Sequence, residues 1–227
     1  MLISREQRLI ISYLTMRRVI GIFGISLPLV VVIGGFIENG FVIQGSISGY
    51  YYTNMRDFFV GLLCIVALFL ISYQGYERID NIIGNTSGLS ALGMLLFPTS
   101  MFSGKIEKVG IFLIDDHISE YIHLTFGTIF FLALSFNAIF LFTRRHSHKL
   151  SKEKKHRNLI YRICGSIMFI SIVCMLIYTL FLRHTFLAKI YPVLILESIA
   201  LFAFGVSWLI KGNTFFKDQL NHAETQS

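Results

Sequence analysis

The sequence predicts an all-α fold: a polytopic membrane protein built as a six-transmembrane-helix bundle, with a short N-terminal amphipathic interfacial helix. Two observations carry this reading. Composition is 54% hydrophobic and only 15% charged, with a mean hydropathy of +0.66 and 22 phenylalanines against three prolines. A soluble domain carries about 25% charged residues. In addition, six segments near 19–38, 58–76, 82–103, 121–143, 159–182 and 190–210 reach the roughly 20 mostly apolar residues that a spanning helix requires.

Taken in order, "MLISREQRLIISYLTMRR" mixes Leu2, Ile3, Leu9, Ile10, Tyr13 and Leu14 with Arg5, Glu6 and Arg8. That is the pattern of an interfacial amphipathic helix over 1–18. It is not a secretory signal, because the apolar run begins only after Arg17–Arg18 and lacks a small-residue cleavage pattern. The membrane domain then covers 19–210, and a cytoplasmic tail covers 211–227. The third span is the most polar, with "GNTSGLSALG" at its heart. Gly84 and Gly88 stand one turn apart there, as expected of a helix packed closely against another in a bundle. Cys64, Cys164 and Cys174 lie inside apolar segments, which argues for small packing residues rather than a disulfide framework. No linker or repeat divides the chain.

Lysine and arginine set the orientation. Fifteen of the 20 fall on one side: Arg5, Arg8, Arg17 and Arg18, then Arg78, eight in the 144–162 loop, and Lys211 and Lys217. Positive residues stay cytoplasmic, so both termini are expected inside, which six crossings also require. The basic loop reads as topology plus contact with anionic headgroups. Basic residues interleaved with apolar spans do not make a nucleic-acid groove, so no nucleic-acid partner is expected.

With that orientation, "SISGYYYTNMRDFF" (Ser46–Phe59) lies outside, at the start of the second span. Thr53 or Asn54 is placed to cap that helix, and Asp57 falls in its first turn, where the dipole favours an acid. The run Tyr50–Tyr51–Tyr52 reads first as interfacial anchoring. Arg56, the sole basic residue of the loop, is suited to bidentate capture of a phosphate or carboxylate.

The fourth span opens with "DDHISEYIHLTFG". Asp116, Glu120 and His123 share one helical face, and a histidine within the apolar run needs a partner in the bundle. His117 and Glu120 at i, i+3 are only two ligands on one helix, with no HExxH or Cys/His cluster, so no metal is expected. Glu197 lies about seven residues into the sixth span, roughly 10 Å along it at 1.5 Å per residue. An ionisable residue at that depth is either a functional group or a polar tie between helices. The second, fourth and sixth spans all run inward, so Asp57, His123 and Glu197 are expected at one membrane level. If those helices are neighbours, they enclose a polar pocket at the outer leaflet lidded by Ser46–Arg56. The candidate catalytic residues are therefore Asp57, His123 and Glu197. The candidate substrate-binding residues are Ser48, Tyr52, Arg56, His117 and Glu120.

The order "SISGYYYTNMRDFFVG", "ISYQGYERIDNIIGNTSGLSALGMLLFPTS" and "IHLTFGTIFFLALSFNAIFLF" resembles a six-span bacterial integral membrane protein family of uncharacterised function. That family is distantly similar to damage-regulated autophagy modulator and Sfk1-type proteins. The resemblance covers roughly residues 20–210 and implies six helices in a plasma (bacterial inner) membrane. A second likeness is to the membrane hydrolases that include alkaline ceramidases and the progestin/adiponectin receptors, which hold zinc with three histidines, two of them as HxxxH in the last span. Ser48, Asp57 and His123 fit that cast. The last span here carries Glu197 and no HxxxH, and a seventh helix is missing.

Binding or modification of a lipid or amphiphile is the leading expectation. In it Arg56 holds the headgroup, and His123 with Asp57 or Glu197 transfers protons. A transporter carrying a small solute or proton on Glu197 and a non-catalytic scaffold are the alternatives. Membrane lipids are the expected partners, no cofactor is expected, and a homo-oligomer is left open.

Overall fold

The computed structural model describes residues 5–38, 43–100, 108–144, 151–183 and 185–214. The first four residues, the centre of the basic loop and the tail from 215 lie outside the described residues. Six α-helices follow in order: α1 (Arg5–Glu38), α2 (Arg56–Ser72), α3 (Arg78–Leu96), α4 (Asp116–Phe136), α5 (Lys152–Ile177) and α6 (Pro192–Lys211). α4 and α5 each continue through a π-helical turn, Asn137–Leu141 and Tyr178–Leu182. A 3-10 turn, Ser48–Tyr52, precedes α2. An antiparallel hairpin of β1 (Lys108–Val109) and β2 (Ile114–Asp115) leads into α4 and was not anticipated.

Four of these helices are long and apolar enough to cross a membrane: Ser12–Ile37, Asp116–Leu141, Lys152–Leu182 and Pro192–Lys211. These are the marks of a multi-pass membrane protein. The expected interfacial helix 1–18 and the first span run into one another without a backbone break. Arg5–Glu38 is one helix of 34 residues, with Pro28 in its interior.

Local chemistry sets the ends. The Asp115 carboxylate accepts the His117 N–H at 3.0 Å and the Ile118 N–H at 3.4 Å, capping α4. Ser151 does the same for α5 through the Lys154 N–H at 3.1 Å. Pro192 opens α6, where its missing N–H costs nothing. α3 stops at Leu96 because the following residue, Phe97, precedes Pro98 and is driven out of the helical region. The cap expected for α2, Thr53, sits two residues ahead of the N-cap position, Met55. Thr53 Oγ1 accepts the Met55 N–H at 3.2 Å and donates to Tyr50 O at 2.9 Å, and the helix begins only at Arg56.

Each helix packs on the next in chain order, and α6 closes the ring against α1. Close approach is made at glycines. A Cβ on Gly88 would stand 2.6 Å from Ala67 O, and one on Gly84 would stand 3.0 Å from Leu70 O, so the small-residue face of α3 meets α2 as its sequence implied. At the end where α2, α4 and α6 finish, Arg17 is buried between the rings of Tyr13 and Tyr73, its guanidinium 4.1 Å and 5.5 Å from their centroids. It donates to Lys211 O and Tyr73 Oη, both at 3.3 Å, while Tyr13 Oη donates to Gln74 O. From there Tyr73, Trp208, Phe142, Phe204 and Phe130 form a continuous aromatic layer across the ring.

Candidate functional site

Above that layer, where α2, α4 and α6 begin, the ring encloses a cavity of about 280 Å³. Leu27, Phe59, Leu63, Met94, Phe130, Phe131 and Leu201 give it apolar walls from five helices, and Ile172 and Met175 add α5. Its polar lining gathers in two places. Ser48, His123 and Glu197 form one cluster, while Glu120, Thr128, Thr179 and Arg183 lie on α4 and the end of α5. The mouth lies between the first turns of α4 and the last turns of α5. There Tyr121, Leu176 and Leu180 are exposed, and Arg183 pairs with Glu120 at 3.3 Å.

His123 is the centre of the first cluster, and its partners follow from how α3 ends. A helix C-terminus leaves carbonyls without intrahelical donors, and the Phe97–Pro98 stop places those carbonyls against α4. His123 Nδ1 lies 2.8 Å from Phe97 O and 3.1 Å from Met94 O. Carbonyls only accept, so the hydrogen of the neutral ring sits on Nδ1, and Nε2 is left as an acceptor. Ser48 Oγ lies 3.0 Å from Nε2, so its hydroxyl donates to the ring. The neighbouring Ser119 Oγ donates to Pro98 O at 2.7 Å and holds the same corner from the side.

Glu197 meets the other face of the Ser48 turn. Its Oε2 accepts the Ile47 N–H at 2.5 Å. One turn earlier on α6, the Leu194 N–H donates to Gly45 O at 3.1 Å. The segment before α2 is therefore clamped to α6 from below and hydrogen-bonded to α4 through Ser48. Glu197 pairs with backbone here.

Of the eight candidate residues, the fold brings Ser48, Glu120, His123 and Glu197 to the cavity wall. Tyr52, Arg56, Asp57 and His117 are not among its lining residues. Arg56 is exposed and stacks 4.4 Å over the Tyr51 ring, with a 2.8 Å bond to Tyr51 Oη. Asp57 is exposed in the first turn of α2, and His117 is exposed at the start of α4. Tyr52 donates to Thr99 O at 2.6 Å. Burial, reinforced by the Asp116 carboxylate, holds its phenol above the usual range, so it serves as a fixed donor. The three tyrosines are not a row of interfacial anchors, since Tyr50 is fully buried against Gly35.

Arg183, Thr128 and Thr179 were not singled out from the sequence. Arg183 follows a long apolar run and reads there as a plain span end. The two carbonyls that orient His123 had one legible signal, the Phe97–Pro98 stop. Among the described residues, no group of three or more His, Cys, Asp or Glu side chains comes together as a metal site.

No family model, curated protein or solved structure matches this chain.

Proposed function

We propose that the protein crosses the membrane six times with both termini cytoplasmic, and that its cavity takes the acyl chain of a lipid or similar amphiphile from the outer leaflet. The observation that carries this reading is an apolar chamber with two small groups of polar side chains on its wall and a mouth bordered by exposed apolar side chains. A chain with a polar head fits such a chamber, and the gap between α4 and α5 opens it toward the bilayer.

Six crossings are supported by the surface of the two shorter helices. α2 and α3 have 17 and 19 residues, about 25 and 28 Å at 1.5 Å each. Both expose large apolar residues, Phe58 and Leu68 on α2 and Ile82 and Leu89 on α3. Exposed apolar stripes of this kind suit lipid rather than water. The orientation rests on basic residues at the end away from the cavity. Arg18 donates to Gly212 O, Arg17 to Lys211 O, and Arg144 pairs with Glu77 at 2.6 Å. The aromatic layer between that end and the cavity favours a one-ended binding chamber over a through-path.

In this reading the headgroup meets Arg183 rather than Arg56. Arg183 exchanges its bond to Glu120 for one to a phosphate or carboxylate at the mouth.

Gly127 gives a direct test. It lines the cavity, and a Cβ there would meet only Met94 Sδ, at an ordinary 3.4 Å. Gly127→Leu should therefore fill the chamber without moving the helices. Native mass spectrometry of the wild type released from nanodiscs should show a retained acyl-bearing molecule, and Gly127→Leu should lose most of it while melting at the same temperature. A wild type that carries no such molecule, or a variant that holds it equally well, contradicts the proposal.

A further inference from the structure

We infer that Ser48 and His123 form a nucleophile–base pair that cleaves the carboxylic ester of a long-chain acyl amphiphile. This deepens the binding reading and rests on it. The geometry has the three parts such a pair needs. The nucleophile oxygen is 3.0 Å from the base nitrogen. The base is held in one tautomer by acceptors on its far side, here Phe97 O at 2.8 Å and Met94 O at 3.1 Å. Those carbonyls occupy the place that a carboxylate takes in a catalytic triad. Both side chains also face a cavity that can bring a substrate to them. A structural tie would also satisfy the buried Nε2 with a serine hydroxyl; what sets this pair apart is that both side chains line the cavity.

The nucleophile's backbone is fixed as well. Glu197 bonds the N–H of Ile47, the residue before the nucleophile, so it is a positioning residue that helps set where Oγ points. In the first step, Ser48 Oγ bonds to the ester carbonyl carbon and its proton passes to His123 Nε2. The ester C–O bond then breaks, and the leaving alkoxide takes that proton as the free alcohol. In the second step, water adds to the acyl carbon and gives a proton to Nε2. The fatty acid leaves, and the proton returns to Ser48 Oγ. Ester and water become acid and alcohol, with His123 unchanged.

The test uses the full-length protein in nanodiscs with a long-chain alkyl fluorophosphonate, which bonds to an activated serine as fluoride leaves. The expected result is one adduct per chain, mapped to the peptide containing Ser48 and absent in Ser48→Ala. Hydrolysis of a p-nitrophenyl ester of a medium-chain acid should fall at least ~100-fold in Ser48→Ala and in His123→Gln. Ser48→Ala removes one oxygen and is expected to fold, and retention of the acyl ligand in native mass spectra reports that it has. An unlabelled wild type that still retains an acyl ligand overturns the chemistry and leaves the binding proposal standing. An unlabelled wild type without any acyl ligand overturns both. Labelling at another serine, or ester cleavage that survives in Ser48→Ala, overturns the assignment of Ser48.

Discussion

Gly205→Ala is expected to cost about 2–3 kcal/mol of stability, the upper range for a side chain forced into a packed contact. Gly205 on α6 and Gly21 on α1 face each other where the ring closes. A Cβ on Gly205 would stand 2.6 Å from Gly21 O, and one on Gly21 would stand 2.7 Å from Gly205 O. Both obstacles are backbone atoms that no rotamer change can move aside, so the two helices must separate. Separation forfeits the dispersion contacts that hold helices together in lipid, where no hydrophobic force replaces them. Gly61→Ala is the control. It lies on α2 with nothing within 4 Å of its added Cβ, and a surface change of that kind stays within about 0.5 kcal/mol. Denaturant titration of both variants in the same micelle checks the pair. Equal midpoints for Gly205→Ala and the wild type would refute the closeness of the α1–α6 crossing.

That contact also marks what could be read from the sequence and what could not. The helices and their order follow from apolar run length, and the Gly84–Gly88 spacing announced a tight face on α3. Which helix meets which is a property of the closed ring, and a lone Gly205 near the end of the chain carries no sign of Gly21. Helix ends were displaced where single residues decide them. The third segment was expected over 82–103, but α3 begins at Arg78, where Asp80 Oδ2 accepts the Glu77 N–H at 2.9 Å, and it stops ahead of Pro98. The second was expected to reach 76 and ends at Ser72.

The site divides in the same way. His123 and Glu197 stand out in any reading because ionisable groups are costly inside apolar runs. Their common depth follows from α4 and α6 beginning at the same end of the ring. Arg56 is engaged locally: Tyr51, five residues away on the folded turn, takes up its guanidinium through ring face and hydroxyl. The arginine at the cavity is Arg183, brought there by α5 packing beside α4. Backbone groups matter as much as side chains here, since His123 is oriented by two carbonyls and Glu197 by the Ile47 N–H. Those groups are common to nearly every residue, so only a proline stop or a turn indicates where they will be free.

Glu197→Leu should release the turn that carries Ser48. The carboxyl group bonds the Ile47 amide of a segment otherwise tied to α6 by the Leu194 N–H to Gly45 O bond. The lost bond removes about 1 kcal/mol, and more if the amide is left without water. That is at least about a 5-fold rise in local opening at 1.4 kcal/mol per factor of ten. Hydrogen exchange should register that rise at Ile47, while amides in the core of α4 keep their wild-type protection. Glu197→Gln keeps a side-chain oxygen at the same reach and should exchange close to wild type. This contrast separates a clamp from a proton-carrying acid. A clamp tolerates the amide and fails with leucine, whereas a carrier fails equally with both. Unchanged exchange at Ile47 in Glu197→Leu would mean that the segment is held by something other than Glu197, which would lose its positioning role.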